Sequence, residues 1–456
     1  MIDKKELALT GGTPLRFNKN WPIWPSKPCS ETLPSDLEEL LESGRWSSRA
    51  RYAGRRPIDW YFGKEFAESH DSLFGVTTPN GTSALALSLE ALGIGAGDEV
   101  LIPGLTWIAT AIAVLKVNAV PVFVDVDPNT YCMSVADLAK KINPKSKCVV
   151  VVHWHCNVAA MDEISRLCKD NNCLLVEDCA QAHGGEFKGK KVGSWGAAAA
   201  FSLHNDKLVT CGEGGIATTS NPSVYERMQS CRLDGFNYSS APLLDIEGVY
   251  EQNGPSSVMG TSNCISEFQA LIARHELSLL DSRTKKREHN ASLLAQHLNK
   301  LPGVKAISET EGTTIRPYYE FVFFVNFDEF CNIGVETMCW ALAAELGFSF
   351  YPEDEALDEH EMYQPSSNRS YYFNEHQLSF LRSKAKSIPV SRAAHKNLIM
   401  FLHPPLLGSE ADMLAISSAV EKIQNSAKEL REFEKTHGDN FENEARRVVG
   451  ELMEIN

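Results

Sequence analysis

The sequence has no C-x-x-C pair among its twelve cysteines, no internal repeat and no low-complexity segment. The cysteines are scattered without zinc-ligand spacing or the even spacing of a disulfide framework, so neither a structural metal nor a disulfide scaffold is expected. Several of them, among them Cys148, Cys173 and Cys179, fall in apolar runs, as buried reduced thiols of a cytosolic protein do. Positive charge is also in deficit, with 44 Lys and Arg against 59 Asp and Glu and a formal net charge of −15. That balance argues against broad nucleic-acid binding, which needs a basic face. No apolar run approaches the length that spans a bilayer, and the N-terminal MIDKKELALTGGTP has no apolar h-region. A soluble, cytoplasmic chain with no membrane partner is expected.

What is present is ordinary globular composition, 43% hydrophobic and 23% charged over 456 residues. That length suits two or three domains, or one large domain with a smaller companion. Residues 1–60 read as irregular, with WPIWPSKPC and GRWSSRARYAGRRP rich in Pro, Trp and Arg. From Pro79 onward the text alternates. TSALALSLEALG, TWIATAIAVLKVNA, VADLAKKI and MDEISRLCKDNN read as helices, while DEVLIPG, AVPVFVDVD, SKCVVVVHW, CLLVEDC and AAAAFSL read as strands. Strands alternating with helices predict an α/β fold with a mostly parallel sheet covered on both faces. After about residue 270 the grammar changes. FQALIARHELSLLDSRTKKREHNASLLAQHLNKLPG reads as one long amphipathic helical stretch. YYEFVFFVNF then reads as a strand of a smaller α+β domain, VETMCWALAAELG as a helix in it, and the C-terminus as charged helix. The expected division is 1–280, the irregular segment plus the large domain, and 281–456, the linking helix plus the smaller one.

Two glycine-rich stretches are set aside. LGIGAGDE follows a helix and precedes a strand, the reverse of a dinucleotide fingerprint, and reads as a helix stop and turn. GGEFKGKK resembles a phosphate loop only in spacing. Lys191 stands where a magnesium-binding hydroxyl belongs, so a polar hairpin is expected.

Four features fall at successive strand ends, where parallel α/β sheets carry their sites. PNGTSAL sets Gly81, Thr82 and Ser83 at a helix N-terminus, where free N–H groups and hydroxyls suit an anion. Alone it would be a helix cap. Trp107, after the strand ending near Pro103, offers a face for a flat ring, though a lone Trp there is more often core. LLVEDCAQAHG places Asp178 after an apolar strand, with Gln181 and His183 just beyond. A buried carboxylate needs a positive partner, either a structural ion pair or a protonated pyridine nitrogen. Lys207, in FSLHNDKLVTCGEGG, sits just past a strand, with Ser202 five residues earlier. Its amine is either a solvated charge or a group that forms a Schiff base with an aldehyde. Together these are the groups that pyridoxal phosphate (PLP) asks of a protein: anion cup, stacking ring, acid for the ring nitrogen and lysine for the aldehyde.

NGTSAL, EDCAQAHGG, AFSL, DKLVTCGEGG and SEFQA resemble, in order, the DegT/DnrJ/EryC1/StrS aminotransferases, a sugar aminotransferase family with the type I PLP fold. WPIWP, SGRWS, TYCM and the text from 88 to 127 are most similar to its branch of L-glutamine:2-deoxy-scyllo-inosose (or scyllo-inosose) aminotransferases, which act in aminocyclitol antibiotic pathways. The resemblance implies PLP on Lys207, Asp178 at the ring nitrogen, Trp107 on the ring, and Thr82, Ser83 and Ser202 near the phosphate. It further implies Asn263 reaching a phosphate across a homodimer whose subunits share sites. The chain departs from the family's usual text in four places. GTSNCISEFQA has Ser262 where an Asn is usual, Asn263 one place later and Cys264 for an Arg. HNDK puts His204, Asn205 and Asp206 before the lysine, HWHCN introduces His155, Cys156 and Asn157, and SFYPEDEALDEHEMYQP also differs. These departures leave the cofactor chemistry intact and bear on the acceptor. His155, His204 and Arg45 are the candidate substrate contacts.

The expected activity is transfer of an amino group from an amino acid, L-glutamine by resemblance, to a keto-cyclitol or keto-sugar. The alternatives are a PLP enzyme of elimination, cyclisation or oxidation, and a regulatory protein on the same fold. The presence of Lys207 favours transamination over the former, and the acidic charge speaks against the latter.

Overall fold

The computed structural model describes residues 6–16, 21–26, 30–48, 56–238, 252–365, 373–382 and 388–454. The N-terminal region is more regular than expected, because Leu33–Ser43 forms a helix, α1. Its first turn holds Pro34, which needs no N–H partner there, and Asp36, which suits the positive helix end. Gly44 stops it in the left-handed region at φ 67. Surrounding Pro and Trp text hid this short amphipathic pattern. Residues 27–29 and 49–55, parts of the two Pro- and Arg-rich stretches, lie outside the described residues. A second helix, α2 (Ile58–Ser69), follows.

The main sheet has seven strands: β1 (Phe74–Thr78), β2 (Glu99–Pro103), β3 (Val120–Val124), β4 (Ser146–Val152), β5 (Leu174–Asp178), β6 (Ala198–Ser202) and β7 (Gly215–Thr219). Their order is β1-β7-β6-β5-β4-β2-β3. β2, β3, β4, β5 and β6 pair parallel, and β7 pairs antiparallel with both β6 and β1. The predicted, mostly parallel sheet is therefore the observed one. β1 and β7 escaped the sequence reading, being five-residue stretches that carry a glycine and threonines instead of an apolar run. Helices α3 (Gly81–Ala91), α4 (Ala109–Lys116), α5 (Val135–Lys141) and α6 (Met161–Asp170) connect strands, and α7 (Pro222–Arg232) follows β7. The middle strands are buried on both faces, which explains their unbroken apolar text: every residue of β6 is buried, and so is Cys148–Val152 in β4. GGEFKGKK forms the expected hairpin, with Glu186–Phe187 paired to Lys190–Lys191. Lys188 and Gly189, both at positive φ, make its two-residue turn.

The predicted single helical stretch over 268–303 is two helices, α8 (Glu267–Ser278) and α9 (Leu280–Leu298). Ser266 and Gln269 open α8 with a reciprocal capping box. Beyond them a second sheet forms from β8 (Val304–Ala306), β9 (Glu320–Val325), β10 (Tyr351–Pro352) and β11 (Leu398–Leu402), antiparallel in the order β8-β9-β11-β10. Helix α10 (Val335–Leu346) ends at Gly347, φ 74. The charged C-terminus is helical over Glu410–Asn425, Ala427–His437 and Phe441–Glu454. Among the described residues no helix is long and apolar enough to cross a membrane.

Candidate active site

The carboxyl ends of β1, β2, β4, β5 and β6 open on one cavity of about 560 Å³, and β9 and β10 of the second sheet supply its opposite wall. Parallel strands point their C-terminal ends to one edge, so residues far apart in sequence converge there.

Asn80 caps α3 by accepting a hydrogen bond from the Ser83 N–H, 2.8 Å. The N–H groups of Gly81 and Thr82 head the same helix at its positive end, and both residues line the cavity. Gly81 lies against Ser202 so closely that a Cβ on it would sit 2.8 Å from the Ser202 Cβ. Backbone N–H groups and the Ser202 hydroxyl thus form a cradle of donors, which fits a phosphate. Trp107 stands beside it with its side chain 54% exposed, leaving a large aromatic face uncovered.

Asp178 is the last residue of β5, where its backbone pairs with Val152 on one side and Ala200 on the other. It is 8% exposed. Its Oδ2 accepts from the Thr110 hydroxyl at 2.8 Å, and its Oδ1 from the Ala180 N–H at 3.1 Å. Burial raises its pKa, an effect that these hydrogen bonds and the more distant charges of Lys207 and His153 only partly oppose. Among the described residues no Lys, Arg or His forms an ion pair with it. A buried carboxylate held by two neutral donors fits a cationic ring nitrogen.

Lys207 follows β6 on a turn closed by its own N–H to the His204 carbonyl, 3.0 Å. Burial lowers its pKa, against the pull of Glu320, Asp178 and Asp206. Its Nζ lies 3.9 Å from the ring centroid of Tyr319. An amine held in this way is more readily neutral and nucleophilic than a solvated one.

His155 sits just past β4 in a left-handed conformation, φ 46. Its backbone N–H donates to the Gln181 Oε1 at 2.8 Å. Its ring is clamped between two glutamates, with Nδ1 against the Glu320 Oε2 and Nε2 3.0 Å from the Glu353 Oε2. Burial opposes charge on His155, but the two carboxylates outweigh it and push its pKa up to about 10. For Glu320 likewise, burial is outweighed by His155 and by the Tyr351 hydroxyl, and its pKa falls. Glu353 goes the other way, because burial and the nearby charges of Glu320 and Asp354 exceed the pull of His155.

The structure therefore gathers Gly81, Thr82, Trp107, His155, Asp178, Gln181, Ser202, His204 and Lys207 around one cavity. His204 is at its rim, half exposed and 3.8 Å from the Asp206 Oδ2. Ser83 contributes its N–H to the α3 cap and does not line the cavity. Asn263 is also outside it, its side chain donating to Thr261 at 2.8 Å. Arg45 lines a separate open cleft of about 950 Å³ between α1, α2 and α8. His183 points into the core, packed against Phe66 and Phe201, and is not in the site wall. His153, Glu177 and Cys179 bring donor atoms within 4.8 Å of one another. There, however, Glu177 already accepts from the N–H groups of Gly193, Trp195 and Gly196. His153 Nδ1 accepts from Ala159, so its Nε2–H faces Glu177 at 3.2 Å. The group braces the loop of residues 193–196 that leads into β6.

Sequence reasoning missed Thr110, Tyr319, Glu320, Tyr351 and Glu353. Thr110 lies one helical turn after Trp107. Glu320 carried a readable signal of its own, a lone carboxylate opening the apolar strand EFVFFV, while Tyr351 and Glu353 lay in a stretch marked only as a departure from the family's text.

The chain matches the DegT/DnrJ/EryC1/StrS aminotransferase family over residues 30–390. It is 38% identical over 426 residues to the L-glutamine:2-deoxy-scyllo-inosose aminotransferase of Micromonospora echinospora, covering 93% of this chain and 99% of that one. It is 37% identical over 424 residues to the L-glutamine:scyllo-inosose aminotransferase of Streptomyces griseus, with 93% and 99% covered. Among solved structures, an aminotransferase from Psychrobacter cryohalolentis superposes with a TM-score of 0.74 at 27% identity, covering 88% of this chain and 98% of that one. The fold is that of the PLP-dependent aminotransferases, as the sequence resemblance implied, and the chain belongs to the DegT/DnrJ/EryC1/StrS aminotransferase family.

Proposed function

We propose that this aminotransferase binds pyridoxal phosphate on Lys207 and moves an amino group from L-glutamine to a keto-cyclitol of the inosose type, in aminocyclitol antibiotic biosynthesis. The observation that carries the reading is the convergence of the Lys207 amine, the Asp178 carboxylate and the donor-rich head of α3 on one cavity. The names of the relatives at 37–38% identity supply the donor and the acceptor class.

Bound pyridoxal phosphate supplies a ring that withdraws electrons from the carbon bearing the transferred amine. The chain's own residues do the rest. The N–H groups of Gly81 and Thr82, with the Ser202 hydroxyl, would hold the phosphate. Asp178 would hold the ring nitrogen, whose positive charge would offset the burial that otherwise disfavours the ionised carboxylate. Trp107 would cover the ring face. Lys207 Nζ, whose pKa burial lowers, would attach the cofactor and then carry the proton from the substrate carbon and back. Tyr319 beneath the amine limits where that nitrogen can swing. Gln181, through the His155 backbone, sets the position of the far wall.

The same reading takes the protein to be a cytoplasmic homodimer, with Asn263 reaching a neighbouring subunit's site. It divides the chain into a cofactor-binding part, 1–280, and a smaller part, 281–456. The experiment is a half-reaction: protein loaded with pyridoxal phosphate is mixed with L-glutamine and the visible band of the lysine-bound cofactor is followed. Its loss, and its return on adding a keto-inosose, is the expected result. A band unchanged by glutamine, glutamate and alanine would turn the assignment to PLP chemistry on substrates that already carry an amine.

A further inference from the structure

Two stretches that depart from the family's usual text, HWHCN and SFYPEDEALDEHEMYQP, are far apart in the chain and meet in the cavity. His155 of the first is bonded to Glu353 of the second across 198 residues, Nε2 to Oε2 at 3.0 Å. Glu320 completes the cluster, touching the other ring nitrogen of His155 and accepting from the hydroxyl of Tyr351, also in the second stretch. All four residues line the cavity that holds Lys207. A buried His with two carboxylates adds little net stability, because the desolvation of its charges offsets their attraction. Its position facing a reaction cavity points to recognition.

The cluster's chemistry defines what it recognises. Both His155 nitrogens and the Tyr351 hydroxyl are turned onto the glutamates, so the donors of the wall are consumed within it. Both glutamates line the cavity, and each carboxylate, with room for about four donors, has acceptor capacity left over. Glu320 is bound by two side chains. The carboxylate of Glu353 receives one side chain, His155, and one backbone N–H, from Asp354 at 3.1 Å. A ligand rich in hydroxyl donors matches such a wall, and vicinal hydroxyls on a ring match a carboxylate's two oxygens.

We propose that Glu353, oriented by His155, reads the ring hydroxyls of the cyclic ketone acceptor and so sets acceptor specificity. His155 and Tyr351 are positioning residues in this arrangement, and Glu320 links them to the Lys207 side of the cavity. The proposal rests on the transamination reading above.

The test separates the two half-reactions in single-turnover mixing of the cofactor-loaded enzyme. The acceptor half is run with scyllo-inosose, 2-deoxy-scyllo-inosose and cyclohexanone, a ring ketone without hydroxyls. In Glu353→Gln, the rate with scyllo-inosose is expected to fall about 10–100-fold, the size of a hydrogen bond to a charged group. That loss should exceed any loss in the glutamine half-reaction, or with cyclohexanone, by about tenfold. His155→Gln should reproduce the pattern. Glu353→Asp keeps the charge but shortens the reach, so it should change the ratio between the two inososes, and it serves if the Gln variant fails to hold cofactor. Equal losses in both halves, equal losses for hydroxylated and bare ketones, or no loss would overturn the proposal while leaving the function intact. If the wild-type enzyme itself is inert to glutamine or to every inosose, both fall together.

Discussion

The Thr110 hydroxyl donates a 2.8 Å hydrogen bond to Oδ2 of Asp178, joining the first turn of α4 to the last residue of β5. It is the only side-chain donor seen on that carboxylate among the described residues, and the opposite oxygen is held by a backbone N–H. Replacing Thr110 by Val keeps the shape and removes the donor, so burial acts on Asp178 with less opposition. Affinity for pyridoxal phosphate should fall by about 1.5–3 kcal/mol, the cost of a lost hydrogen bond to a charged group. Thr110→Ser should restore it. A titration of the visible band with cofactor reads this directly, and an unchanged affinity in Thr110→Val would mean that the hydroxyl does not support Asp178.

Lys207→Arg keeps a cation in the cavity but removes the nucleophilic amine. The visible band of lysine-bound cofactor should disappear, and the glutamine half-reaction should slow roughly 10²–10⁴-fold, the range lost with a general acid–base group. Cofactor should still be retained, because the head of α3 and Ser202 are untouched. Equilibrium dialysis would show that retention. A variant that keeps the band would place the attachment on another lysine.

The close approach of α3 to β6 gives a third expectation. A Cβ at Gly81 would meet the Ser202 Cβ at 2.8 Å and its Cα at 3.2 Å. β6 is buried along its whole length and cannot retreat, so Gly81→Ala should displace the first turn of α3. A loss of about 1–3 kcal/mol is expected from overpacking, together with weaker cofactor binding. Adding Ser202→Gly removes the opposing Cβ and should recover stability, though not the hydroxyl's share of cofactor affinity. A thermal melt of the single and double variants decides it; equal melting temperatures for wild type and Gly81→Ala would show that the contact has room.

These expectations involve residues that differ in how readable they were. Lys207, Asp178, Trp107 and Ser202 each stand at the end of, or shortly after, a buried strand whose apolar text breaks off, and a parallel sheet sends all such ends to one edge. Local sequence was enough to place them. α1 was lost because a short helix was embedded in Pro- and Trp-rich text, and β7 because GIATT carries too few large apolar residues to read as a buried strand. His183 was read as near the site because it follows Asp178 closely, yet the chain turns after Ala182 and sends its ring between Phe66 and Phe201. The wall of His155, Glu320, Tyr351 and Glu353 is made by packing between two sheets, and no periodicity or spacing in the sequence encodes such a meeting. Departures from the family's text marked two of its segments without showing that they touch.

That wall also titrates, and the sign follows from its geometry. His155 has an ordinary pKa of 6.5 and one of about 10 in the folded protein, because Glu320 and Glu353 outweigh the burial that opposes its charge. The folded state therefore holds a proton on His155 that the unfolded chain releases between those two values. Its contribution to stability is fully present below pH 6.5 and is lost as the pH rises through about 10. Within that window one extra bound proton corresponds to a slope of about 1.4 kcal/mol per pH unit. His155→Gln should remove this part of the slope. It should also be less stable than wild type near pH 7, since two buried carboxylates lose their cation, a change that costs roughly 3–5 kcal/mol when a buried pair is broken. The gap between wild type and variant should therefore be widest below pH 6.5 and narrow toward pH 10. Melting temperatures of the two proteins across that range, at fixed saturating cofactor, measure the gap and cancel the groups that His155 does not touch, Glu320 and Glu353 excepted. A gap that stays constant with pH would show that His155 is neutral in the folded wall, and the cluster would then be held by hydrogen bonds alone.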